Sequence, residues 1–146
     1  MILGHEIRGR GPRRVLVAHG WFGDHGIWAP AYPLLDEEAF TYVFADYRGY
    51  GASRAIQAQH TIAEIAGDML ALADRLGWEH FALLGHSMGG MVAQRVAIDA
   101  PHRVRAAVWV TPVPASGVPL PAEIAALFAS AATNEQAALG VIETSL

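Results

Sequence analysis

Ser87 lies in the run Gly85-His86-Ser87-Met88-Gly89, a serine with a glycine two positions away on either side. A hydroxyl is a weak nucleophile. To attack an acyl carbon it needs a base to take its proton and N–H groups to hold the oxyanion that forms. The apolar run Phe81–Leu84 before the motif reads as a buried strand, and the Ala-containing run from Met88 reads as a helix. A serine at such a strand-to-helix turn is lifted clear of the backbone, and a Cβ at Gly85 or Gly89 would crowd the turn. The helix opening at Met88 aims free N–H groups and the positive end of its dipole at the same place, which favours a developing negative charge. As structure alone the stretch is a glycine-rich turn with Ser87 capping a helix; the strand before it and the helix after it favour the chemical reading.

The elements that must hold this serine are legible in the same way. Val15–Ala18, Tyr42–Ala45, Phe81–Leu84 and Ala106–Val110 are short apolar runs with little polar alternation, which suits strands buried on both faces. Thr61-Ile62-Ala63-Glu64 has the form of a capping box, in which hydroxyl and carboxylate each satisfy a free backbone N–H. Ile62, Ile65, Ala66, Met69, Ala73 and Leu76 then make one apolar stripe, with Gly77 suited to the end of the helix. A second helix runs from Met88 to about Asp99, with Pro101 beyond it, and Trp28–Leu35 adds a short helix interrupted by Pro30 and Pro33. Strand and helix in alternation predict an α/β fold, a mostly parallel sheet flanked by helices with right-handed crossovers. From Thr111 the segment TPVPASGVPLP marks an exit from the sheet, and Pro121–Leu146 is Ala-rich with helical spacing.

Composition narrows the function classes. A chain of 146 residues, 53% hydrophobic and 16% charged, fits one well-buried domain. A net charge of −4 gives no basic footprint for nucleic acid and no pull toward an anionic membrane. With no cysteine, thiol chemistry and Cys-based zinc sites are unavailable. His5, His60 and His80 form no metal-ligand spacing, so no metal and no cofactor are expected. The first residues, MILGHEIRGRGPRR, lack the apolar core of a signal peptide, and no apolar run approaches the ~18–20 residues of a membrane span. These features lead us to expect a soluble, cytoplasmic protein whose partner is a small-molecule substrate.

Three blocks in order, HGWFGD at His19–Asp24, DYRGYGAS at Asp46–Ser53 and GHSMGG at Gly85–Gly90, resemble the α/β-hydrolase family. All three follow strand-like runs and so gather at the carboxyl ends of the sheet, where open α/β folds bind ligands. The resemblance implies residues 1–112 as the N-terminal part of a hydrolase core and 113–146 as the start of a helical cap. It implies backbone N–H groups of Trp21 and Met88 as an oxyanion hole, with His19, Gly20, His86 and Gly89 as loop and pocket residues. His19 is expected to orient its loop rather than act as base. Asp46 and Arg48 hold an acid and a base together, yet they read better as groups satisfying local backbone around a turn. His86 adjoins Ser87, but adjacent side chains diverge. His25 reads as a solvated loop histidine. Dehalogenase and epoxide-hydrolase members of the family carry an aspartate at the nucleophile position, and Ser87 counts against both.

The activator of Ser87 is harder to find. In this fold the acid and then the histidine follow the serine, and after Ser87 only Asp99 and His102 do so. Both lie at the far end of the helix starting at Met88, which puts His102 roughly 18–20 Å away at 1.5 Å per residue, whereas a base must come within about 3 Å. The acid and base are therefore expected beyond residue 146, with the chain an N-terminal portion of a longer hydrolase. Losing the histidine costs about 10⁶ in kcat in another serine hydrolase, so the chain alone is expected to be nearly inactive. The apolar run Ala106–Val110 would leave an open sheet edge, which points to self-association. The function expected is hydrolysis of a small ester, lactone or related acyl compound by Ser87. The alternatives are a non-catalytic ligand receptor or regulatory protein on the same fold, a haloperoxidase-like member and a carbon–carbon bond hydrolase.

Overall fold

The computed structural model describes residues 2–131 and 133–145. They form two compact units, Met1–Ala115 and Ser116–Leu146. The first unit holds a five-stranded sheet made of β1 (His5–Gly9), β2 (Arg13–Ala18), β3 (Phe40–Ala45), β4 (Phe81–His86) and β5 (Val104–Val110). Their spatial order is β1-β3-β2-β4-β5. β2, β3, β4 and β5 run parallel, and β1 lies antiparallel against β3.

The central strands are buried on both faces, which is why they read as continuous apolar runs. On β2, Leu16 and Ala18 face a core shared with α1 (Ile62–Arg75) and α2 (Met88–Asp99). Val15 and Val17 face the other way, onto a second core with Phe44, Trp28 and Tyr32. The large core of the first face is filled by Met69 and Leu72 from α1 and by Val92 and Val96 from α2, all 2% exposed or less. Full burial of side chains of this size stabilises by about 1.5–3 kcal/mol each. The opposite face is covered by a run of 3-10 turns over His25–Leu34 that contains Pro30 and Pro33. It starts three residues before the expected helix at Trp28, because Asp24 caps it by accepting from the Gly26 N–H.

β2 and β3 are longer than their apolar runs at the entry side, where Arg13 pairs with Phe40 and Arg14 with Thr41, and the Arg13 guanidinium lies over the Phe40 ring at 5.4 Å. β1 was not among the strands expected. Its sequence, HEIRG, has no apolar face, Ile7 is half exposed, and what makes it a strand is backbone pairing with β3 from His5↔Ala45 to Gly9↔Thr41. β5 is the outermost strand on the other side, with Val108, Trp109 and Val110 between 40% and 58% exposed.

α1 is capped as expected at its hydroxyl half, Thr61 Oγ1 accepting from the Glu64 N–H at 3.1 Å. The carboxylate half differs: Glu64 Oε2 accepts from the N–H groups of Gln59 and His60, at 2.8 and 3.1 Å, rather than from Thr61. His60 stands at φ 55°, which turns those two N–H groups toward the carboxylate. Gly77, at φ 68°, follows the helix in the left-handed conformation that glycine adopts without strain. The second unit contains α3 (Ala122–Ala131) and α4 (Glu135–Ser145), matching the Ala-rich helical spacing. Asn134 caps α4, its Oδ1 accepting from the N–H groups of Gln136 and Ala137. Among the described residues no helix is long and apolar enough to cross a membrane. Replacing Thr61 by Ala is expected to lower the stability of the first unit by about 1 kcal/mol, read as a lower urea midpoint at unchanged slope.

Candidate active site

Ser87 occupies the single residue between β4 and α2, at φ 52° and ψ −118°. Two glycines and a set of backbone bonds impose that conformation. A Cβ on Gly85 would come 2.7 Å from the carbonyl carbon of Gly89, and one on Gly89 would come 2.6 Å from the His19 oxygen. Glycine at both positions lets β4 and α2 meet at the turn and lets α2 press against the end of β2. Ser87 is also strapped from the far side: its N–H donates to Val110 O, and its carbonyl accepts from the N–H groups of Gly90 and Val113. Gln94, a residue the sequence did not single out, completes the strap. Its amide donates to Gly90 O and Val113 O and accepts from the Ala115 N–H. A glutamine nearly two turns into a helix carries no distinctive signal, so only the folded chain reveals it.

The loop after β2 passes directly beside this turn. A Cβ on Gly20 would lie 3.3 Å from Ser87 Cβ and 2.9 Å from His86 Nδ1, so the chain at Gly20 has room only for hydrogen. The loop is shaped by the three buried polar side chains of the core, His19, Asp46 and Ser53. His19 Nδ1–H donates to Gly20 O at 2.7 Å, and Nε2 accepts from the Tyr47 N–H at 3.4 Å. Both bonds call for the same neutral tautomer. Burial pushes the His19 pKa below its ordinary value, against the opposing pull of Gly20 O and Asp46, and so favours that neutral form. The Tyr47 ring stacks on the imidazole at 3.9 Å, and its hydroxyl donates to His19 O at 2.8 Å. These bonds tie the His19 ring and carbonyl to the loop at Gly20 and to Tyr47.

Asp46 is fully buried and accepts from the N–H groups of His25 and Ala52, at 2.7 and 2.8 Å. It thus satisfies local backbone, as expected. Arg48 does so only in part: its Nη1 donates to Gln57 O at 3.5 Å, while the guanidinium also reaches across to α1 and pairs with Asp68 and with Glu64, the latter at 3.0 Å. Nor is His25 a solvated loop residue. Its Nδ1 hydrogen-bonds both oxygens of Asp46, at 3.0 and 2.9 Å, and its Nε2 lies 3.5 Å from Glu6. Asp24, His25 and Asp46 bring polar atoms within 4.8 Å of one another, but the Asp46 oxygens are occupied by these bonds and Asp24 Oδ1 by the Gly26 N–H. The cluster is a hydrogen-bond network internal to the fold.

The remaining candidates separate cleanly. Among the described residues no side chain hydrogen-bonds the Ser87 hydroxyl, and Ser87 makes no capping bond to α2. The His86 ring meets Trp28 edge-on at 6.2 Å, with its Nδ1 buried and without a hydrogen-bond partner. His102 shares a surface depression with Trp78, His80 and Arg103 at the entry ends of β4 and β5. Asp99 pairs with Arg95, one turn earlier on α2. Trp21 and Phe22 stack at 4.1 Å with 40% and 43% of their surfaces exposed.

A mostly parallel sheet with a serine at the sharp turn after an interior strand, faced by the loop of the neighbouring strand β2, defines a recognised class. The family model for the alpha/beta hydrolase fold matches residues 13–139, and the chain belongs to that family. Its sequence is 41% identical, over 73% of the chain and 28% of the relative, to the dihydrolipoyllysine-residue acetyltransferase component of the acetoin cleaving system of Cupriavidus necator. It is 38% identical, over 67% of the chain and 33% of the relative, to a fluoroacetate dehalogenase of a Burkholderia species. Among solved structures it is similar to Est816, described as an N-acyl homoserine lactone degrading enzyme, with a TM-score of 0.77 and 25% identity over 97% of this chain and 53% of that one. The chain therefore spans between about a quarter and about a half of these proteins.

Backbone geometry at Ser87 yields a direct test. A non-glycine residue in such a conformation costs about 1–3 kcal/mol, while glycine costs about 0.4–1 kcal/mol in unfolded-chain entropy. Ser87→Gly is accordingly expected to be more stable than Ser87→Ala by about 1 kcal/mol in urea unfolding. Equal stabilities would mean that the turn relaxes without the serine.

Proposed function

We propose that Ser87 is the nucleophile of a hydrolase acting on a small ester, lactone or related acyl compound, with the N–H groups of Trp21 and Met88 receiving the oxyanion. The observation that carries this reading is the positive-φ backbone of Ser87 between β4 and α2, with the loop at Gly20 against its Cβ. Strain of that kind persists where the surrounding fold enforces it, and it clusters at sites where a side chain must be held for use. Oγ attacks the acyl carbon, the carbonyl oxygen becomes an oxyanion, and the alcohol leaves with the proton taken from Ser87. Water then attacks the acyl-enzyme, releasing the acid and restoring the hydroxyl. The first-turn N–H of α2 at Met88 has no intrahelical acceptor, and each such donor is worth about 10²–10³ in rate.

The names of the relatives run from acetyl transfer through dehalogenation to lactone degradation. A serine rather than an aspartate at position 87 favours acyl chemistry over dehalogenation. The exposed Trp21–Phe22 stack beside the loop suits an apolar acyl or aromatic portion. The base that takes the Ser87 proton is assigned to residues other than those described, since none of them hydrogen-bonds the hydroxyl.

Exogenous imidazole can stand in for that base. Incubated with a fluorophosphonate, the chain is expected to form an adduct at Ser87 found by peptide mass spectrometry, faster with added imidazole and absent in Ser87→Ala. A folded protein that forms no Ser87 adduct with or without imidazole would overturn the reading. Without imidazole, ester turnover is expected to stay about 10⁶-fold below that of a complete triad.

A further inference from the structure

The loop His19–His25 is held at both of its ends by two consecutive residues leaving β3. Tyr47 grips the near end through the His19 carbonyl and ring. Asp46 grips the far end through the His25 N–H and the His25 ring. Between these anchors the chain passes through Phe22 at φ 58°, a conformation a bulky residue keeps only when its surroundings enforce it. The far anchor has a second attachment that the near one lacks. Glu6 on β1 faces His25 Nε2 at 3.5 Å, and Glu6 is itself fixed by Arg8 Nε at 2.7 Å and approached by the Tyr32 hydroxyl at 3.4 Å. The Arg8 guanidinium lies over the Tyr32 ring at 4.2 Å, which completes the packing around the carboxylate.

We infer that His25 is a protonation-dependent positioning residue for this loop: as an imidazolium it ties the far end to β3 through Asp46 and to β1 through Glu6 together, and on losing a proton it keeps only the β3 tie. The chemistry follows from the two ring nitrogens. With both protonated, Nδ1–H donates to Asp46 and Nε2–H points at Glu6. With one proton gone, Nδ1–H remains on Asp46, which offers the shorter contacts, and the Nε2 lone pair then opposes a Glu6 oxygen. The groups facing the ring are Asp46 at the end of β3, Glu6 and Arg8 on β1, Asp24 and Tyr32 on its own segment, and His19 at the end of β2. Burial opposes charge on the His25 ring, but the Asp46 hydrogen bond and the charges of Asp46, Asp24 and Glu6 outweigh it and raise the pKa above the ordinary histidine value.

The sign of the effect is fixed by linkage. A raised folded pKa contributes stability that is fully present below the unfolded histidine value, near 6.5, and is lost as pH rises through the raised one. The far anchor therefore tightens toward acid and loosens toward base. The inference rests on the proposed role of the Trp21 N–H for its catalytic meaning, whereas the tie itself is a property of the loop.

An NMR titration of the chain tests the tie without any appeal to turnover. The Trp21 backbone amide is expected to shift with the same midpoint as the His25 ring, above the ordinary histidine value. Glu6→Gln is expected to move both midpoints downward together, and His25→Asn to remove the Trp21 titration in that range. A Trp21 amide that does not follow His25, or a midpoint unchanged in Glu6→Gln, would overturn the inference. Should His25→Asn fail to fold, Glu6→Gln decides alone, because its change is confined to one charge at the edge strand. The fluorophosphonate adduct at Ser87 is read on the same samples: its absence beside an intact Trp21 titration counts against the hydrolase reading and leaves the tie standing.

Discussion

The site depends on one buried carboxyl group. Asp46 has no exposed surface, and removing an acid of that kind from water is tolerated only when every lone pair is used. Its partners come from two sides: the backbone and ring of His25 on the loop after β2, and the backbone of the turn at Ala52. Ser53 continues the same knot by accepting from the Gly4 N–H, which draws the start of the chain onto it. Because the neighbouring Tyr47 holds His19, one dipeptide at the end of β3 sets where the loop facing Ser87 begins and ends. Gly51 belongs to the same constraint, since a Cβ there would meet the Asp46 carboxyl and Asp24.

Two histidines bracket that loop with opposite electrostatics. His19 is buried in contact with Tyr47 and favours the neutral form, so its environment penalises acid. His25 faces three carboxylates and favours the charged form, so its environment penalises base. Neither preference is visible in residue type, because both are histidines a few positions apart. The difference lies in which strand end each one meets: β2 delivers His19 into the core beside tyrosine rings, while the turn at Asp24 leaves His25 partly open between acids.

The sheet was legible because strands covered on both faces carry unbroken apolar runs, as β2, β3 and β4 do over Val15–Ala18, Tyr42–Ala45 and Phe81–Leu84, and because the edge strand β5 keeps such a run over Ala106–Val110 although it is largely exposed. The same rule hid β1, whose Glu6, Ile7 and Arg8 show no such pattern and whose pairing is a matter of backbone alone. The turn at Ser87 was legible because two glycines at fixed offsets are the only residues that fit there. Arg48, His25 and Gln94 were not, for a shared reason: each bonds to a partner chosen by tertiary placement, whether Asp68 on α1, Glu6 on β1, or the backbone after β5. The two halves of the expected capping box show the finer limit. Thr61 acts where local spacing puts it, but the Glu64 carboxylate follows the bend at His60.

The bonds that shape the loop also carry a kinetic meaning. Gly4 meets Ser53 across 49 positions of chain, Tyr47 meets His19 across 28, and His25 meets Asp46 across 21. α1 and its cap involve neighbours only, whereas the Gly4–Ser53 bond needs β1 beside β3 and the two bonds that hold the loop need β2 beside β3. Each doubling of the closed segment adds only about 0.6 kcal/mol, so it is the order of docking, more than the length of chain, that delays them. The strand order β1-β3-β2 places β3 between its two partners, so each of these long-range contacts requires β3 in place.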